Sequence, residues 1–92
     1  MNTPSTNEVW VFNGRHGYFP SGVFADRNTA EQWISEYDLS GTLTKYPVGI
    51  PVYDWALSNA YFEPSKAEHT TARFIGKFSC AQLEHYHYGE ED

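Results

Sequence analysis

Apolar residues recur at Ala30, Trp33, Ile34 and Tyr37, the i, i+3, i+4, i+7 spacing that gathers side chains on one helical face. They predict a helix over Asn28–Tyr37, with Glu31, Gln32, Ser35 and Glu36 on the wet side. Asn28 is placed to cap the first turn, and Glu31 to reach back to its amide as in a capping box. Ahead of this helix, Val9-Trp10-Val11-Phe12 is an unbroken apolar run, the pattern of a central strand buried on both faces. Asn13-Gly14 then supplies a turn with positive φ. Gly22-Val23-Phe24-Ala25 returns as an antiparallel partner strand. After the helix, Ser40-Gly41 turns the chain into Thr42–Pro47, where Leu43 and Lys45 alternate with Thr42, Thr44 and Tyr46. Period-two alternation marks a strand with one wet face. A strand, a crossover helix and a further strand in one sheet favour a right-handed parallel connection, and the third strand is placed beside the first.

Gly49-Ile50-Pro51 breaks the pattern, and Pro51 suits the first position of a second helix, Val52 to Tyr61. Val52, Trp55, Ala56 and Asn59 share one of its faces. Asp54 sits in its first turn, and beside Tyr53 and Trp55 it is the acid expected to be partly buried and shifted. Glu63–Thr71 is polar and reads as a mobile connection, Arg73–Phe78 as a strand, Ser79–Leu83 as a turn of helix, and Glu84–Tyr88 as an alternating final strand. The fold class is therefore α+β: a small mixed sheet begun by a β-hairpin, an amphipathic helix on one face, and a second short helix. Residues 8–89 form one domain between flexible polar tails at 1–7 and 90–92.

Size and charge narrow the function. Ninety-two residues bury only roughly 60–65% of their unfolded surface, enough for one core. With 17% aromatic residues that core uses few but large side chains. Twelve acidic against six basic residues give a net charge of −6. The basic residues are scattered singly, whereas nucleic acid and anionic membranes require them clustered, so neither is expected as a partner. There is no basic-then-apolar leader and no apolar run near membrane-spanning length, and Cys80 stands alone; the chain reads as cytoplasmic.

His85-Tyr86-His87 is the sharpest chemical pattern, because residues two apart on a strand project both imidazoles to one side, while Tyr86 and Tyr88 face the core. With Glu91 the run H-x-H-x-x-x-E is similar to the first metal motif of cupins, without the later strands and histidine that a cupin needs. His16 and His69 would have to fold back to serve as further ligands. Cys80 with a nearby histidine is a candidate nucleophile and base, set against the commoner role of a small buried hydrophobe. Ser21 lacks the G-x-S-x-G spacing, and Gly14, Gly17 and Gly22 precede no helix start, so neither forms a nucleophile elbow or a phosphate cradle. No cofactor is implied. Arg15, His16, Tyr18 and Phe19 lie on a Gly- and Pro-rich loop ending at Ser21, and aromatic side chains displayed there are suited to binding. The opposing reading folds Tyr18 and Phe19 under the end of the sheet.

V-W-V-F-N-G at Val9–Gly14, F-P-S-G-V-F at Phe19–Phe24, A-E-Q-W-I at Ala30–Ile34, Y-D-W-A at Tyr53–Ala56 and E-H-Y-H-Y at Glu84–Tyr88 together resemble a family of small uncharacterised bacterial proteins. The resemblance implies a cytoplasmic bacterial domain and carries no activity to transfer. Small acidic bacterial proteins also include the immunity proteins that neutralise toxins, an analogy of size and charge. The expectation is a non-enzymatic module binding another protein, or itself as a homodimer, through Arg15, His16, Tyr18, Phe19 and the acidic surface. The alternative is a metal-binding protein or metal-dependent enzyme using His85 and His87.

Overall fold

A computed structural model describes residues 7–89. The expected tails therefore lie largely outside the described residues, as does Glu91. Strands β1 (Glu8–Gly14), β2 (Gly22–Phe24), β3 (Gly41–Pro47) and β4 (His85–Tyr88) form one sheet in the order β2-β1-β3-β4. Helices α1 (Arg27–Glu36), α2 (Val52–Ser58) and α3 (Ala72–Lys77) complete the α+β fold, with a 3-10 turn over Ala67–Thr70.

Every neighbouring strand pair is antiparallel, so the sheet is not mixed. The parallel relation expected across the helix holds between β2 and β3, which both flank β1 and therefore run the same way. Asn13 and Gly14 do not turn; they continue β1 opposite Thr42 and Gly41. Gly41 is required there, because a Cβ would sit 2.3 Å from the Asn13 carbonyl oxygen.

Helix α1 packs on one face only, and that decides which side chains are hidden. Trp10, Phe12, Leu43, Ala30 and Ile34 are the buried cluster, with Phe24, Trp33, Leu39, Tyr86 and Tyr88 around it. Trp33 wedges its ring between Phe12 and Phe24, 5.6 and 5.4 Å away between centroids. The double burial expected of β1 is not found: Val9 and Val11 alternate with Trp10 and Phe12 and stay half-buried. An unbroken apolar run hides this, since period two is invisible when both phases are apolar.

The helix begins one residue early. Asp26, in extended conformation, accepts the Thr29 amide at 2.8 Å and is the N-cap in place of Asn28. Glu31 is then free of any capping duty and pairs instead with Arg27 at 3.1 Å. At the other end Asp38 adopts φ 54, the Asp38 amide donates to Ser35 and the Leu39 amide to Ile34. This is a Schellman closure, and it turns Leu39 back onto the core while Tyr37 is left exposed.

A second closure of the same kind ends α2 three residues before the expected Tyr61. Ala60 has φ 61, its amide donates to Leu57, and the Tyr61 amide donates to Ala56. Pro51 is the N-cap of α2 rather than its first residue. Asp54 is exposed, not partly buried, because Tyr53 and Ala56 take the inward positions.

Arg73–Phe78 is helical, correcting the expected strand. Thr71 caps α3 by accepting the Phe74 amide, and Phe74 and Phe78, four apart, join Tyr53 and Phe62 in an aromatic cluster separate from the main core. The connection before it is held rather than open. His69 Nδ1 accepts the Ser65 and Lys66 amides at 3.0 and 3.2 Å, and Tyr53 donates to the His69 carbonyl at 2.8 Å. Ser79–Leu83 is a turn without helix.

Candidate functional site

Two surfaces carry the residues singled out above. The first is the loop between β1 and β2. Its backbone is fixed at three points: the Arg15 amide donates to Ser40 at 2.9 Å, Gly17 to Gly14 at 3.0 Å, and Ser21 to Phe12 at 2.9 Å. On this pinned frame Tyr18 is 94% and Phe19 78% exposed, so neither folds under the sheet. Arg15 and His16 are exposed beside them. Val23 on β2 adds exposed apolar surface at 64%, and among the described residues β2 has only β1 as a sheet neighbour.

The second surface is the sheet face opposite α1. The registers Thr44↔His85 and Thr42↔His87 put both histidines on this face, while Tyr86 and Tyr88 point into the core as period two requires. The imidazole centroids are 5.2 Å apart, with ring planes at 87°. His85 Nδ1 lies 2.7 Å from the Leu83 carbonyl. A carbonyl can only accept, so Nδ1 carries a proton, and in the neutral ring Nε2 then holds the lone pair. His87 Nδ1 meets the Thr42 hydroxyl at 3.2 Å.

Thr42, Thr44, Tyr46, His85 and His87 form the floor of a groove of about 390 Å³, and the Ser79–Leu83 turn forms its wall. Cys80 lines that groove too, half-buried. Among the described residues no group of three or more His, Cys, Asp or Glu side chains is arranged to hold a metal ion. His69 is committed to its own loop and His16 stands on the first surface.

The chain belongs to the DUF7710 family. That family's model, described as a domain of unknown function, matches residues 9–92. No curated protein and no solved structure matches the chain at a significant level. Among the described residues of this DUF7710 chain, no helix is long and apolar enough to cross a membrane.

On the α1 side, the DUF7710 fold closes with a polar network that sequence reading missed. Tyr88 donates its hydroxyl to Glu31, and Arg27 bonds the same carboxylate while its guanidinium lies 3.6 Å over the Tyr86 ring. The Tyr88 hydrogen bond, aided by Arg27, holds the Glu31 carboxyl below its ordinary value despite partial burial. Burial, then the bond to Glu31, pushes the Tyr88 phenol up to about 12. Lys45 sits between Glu84 at 3.1 Å and Glu8 at 3.6 Å, and the Glu84 bond raises its pKa. The alternation of Tyr86 and Tyr88 was the available signal, but their partners lie on α1, and only the strand order reveals that.

Proposed function

We propose that this chain is a non-enzymatic protein-binding module of the bacterial cytoplasm, with Arg15, His16, Tyr18 and Phe19 as its contact. The supporting observation is the pair Tyr18 and Phe19, almost wholly in water on a loop whose backbone is tied down at both ends. Exposed aromatic side chains on a pre-organised frame bring large apolar area at small entropic cost, the composition of interface anchors. A net charge of −6 favours a basic partner surface and faster encounter at low salt. A basic toxin, neutralised by occlusion, is the partner of that chemistry which small acidic immunity proteins bind.

The test has two stages. Untagged protein is first examined for self-association by light scattering across a concentration series. Partners retained from the native host are then purified, and their affinity is measured for the parent chain and for Tyr18→Ala plus Phe19→Ala. A basic partner whose binding weakens about ten-fold or more in the double variant, and falls with salt, supports the reading. Undiminished binding by the double variant removes the loop from it, and a dimer broken by the same substitutions makes the chain its own partner.

A further inference from the structure

The face opposite α1 supports a site independent of the loop. We propose that His85 and His87 form a two-imidazole chelate for a divalent transition ion, binding Cu²⁺ more tightly than Zn²⁺, with the remaining coordination positions open to water.

Ring spacing is the first support. A metal–nitrogen bond of about 2.0–2.1 Å, extended by about 1.2 Å to the ring centre, puts each centre roughly 3.2 Å from a shared ion. Between the right angle of a tetragonal Cu²⁺ site and the tetrahedral angle of Zn²⁺ the two centres then fall about 4.5–5.2 Å apart. The observed separation is 5.2 Å. Adjacent strand residues would splay to opposite faces, and residues four apart would stand too far off. The i, i+2 spacing on β4 alone brings the rings together on one side.

The outer hydrogen bonds are the second support. A metal-bound histidine typically donates its other ring N–H to a carbonyl or similar acceptor, which fixes the ring and raises its basicity. His85 does this to the Leu83 carbonyl at 2.7 Å, leaving Nε2 as the donor atom for an ion. The Thr42 hydroxyl can accept from His87 Nδ1 at 3.2 Å, and an ion on His87 Nε2 selects that tautomer. Access is the third support. His87 is exposed, and the groove of about 390 Å³ beside it has room for the ion and its waters. Among the described residues no third ligand joins them, and two imidazoles discriminate by intrinsic affinity, which runs higher for Cu²⁺ than for Zn²⁺.

The experiment is a titration of untagged, metal-free protein with Cu²⁺ and with Zn²⁺, read by calorimetry and, for copper, by electron paramagnetic resonance. One equivalent of each should bind, copper the tighter, with splitting from two nitrogen ligands. His85→Ala and His87→Ala should each weaken binding about ten-fold or more, and the double variant should abolish it. His16→Ala should leave it unchanged. Far-UV circular dichroism checks the fold of each variant, and His87→Gln repeats the measurement with a side chain of similar size. Binding that survives in the double variant, or no saturable uptake by the parent protein, overturns the proposal.

Discussion

Tyr88, on the last strand, donates its hydroxyl to Glu31 in the middle of α1, 57 residues earlier in the chain. The bond ties the closing strand to the helix across the sheet, and it leaves a signature at high pH. The folded phenol is raised from 10.0 to about 12, so its contribution to stability is whole below pH 10 and drains between pH 10 and 12. In a tyrosinate absorbance titration one phenol should ionise near 12. Tyr88→Phe should remove that component, leaving the smaller delay of Tyr86, whose phenol is raised by its bond to Glu84.

Acid acts on the other partner. The Glu31 carboxyl lies below its ordinary 4.5, so its contribution is complete above that pH and lost as pH falls through the folded value. Urea midpoints measured from pH 7 down to 2 should therefore decline less steeply for Glu31→Gln than for the parent, from a lower starting point at pH 7. Parallel curves would separate the bond from stability.

Ala60 holds a left-handed conformation that costs a residue with a Cβ about 1 kcal/mol. Ala60→Gly should relieve it and raise the melting temperature by about 4–8 °C. Asp38→Gly should gain less, since aspartate tolerates that conformation better than alanine. A fall in either variant would show the backbone there to be held by something other than the helix closure.

The Tyr53, Phe62, Phe74 and Phe78 cluster is separate from the core under α1, so it should open by itself. Native-state hydrogen exchange should find the amides of α2 and α3 less protected than those of β1 and β3. Phe74→Ala should speed exchange in α2 and α3 and leave the sheet unchanged. Equal loss of protection in both places would make the molecule one cooperative unit.

Tyr18→Ala plus Phe19→Ala should leave stability within about 0.5 kcal/mol of the parent, because side chains this exposed contribute little to the fold. A denaturant melt checks this, and it is the control that gives the binding test its meaning. Larger destabilisation would assign the pair to structure.

The sequence made legible those elements whose signal is periodic. The α1 spacing as far as Ile34, the alternation in β3 and the two-faced His–Tyr run of β4 reappear in the fold, while Tyr37 falls past the helix end and into solvent. What it concealed had physical causes. Two helices close without glycine, through Asp38 and Ala60, so no stop was visible. Phe74 and Phe78 suit a helix by their spacing, but a run of six residues is too short to declare its period. The pairing of Glu31 with Tyr88, and the place of Cys80 in the groove that His85 and His87 line, depend on strand order, which neighbouring residues do not encode.

The Cα envelope is 19 Å through its thinnest dimension. A domain of 92 residues folds with a margin of only about 5–15 kcal/mol. Anything that settles in the groove of the face opposite α1 adds its binding energy directly to that margin, by mass action. Melting temperature thus serves as a detector: screening ions, peptides and candidate proteins for an upward shift would report an occupant before its chemistry is known.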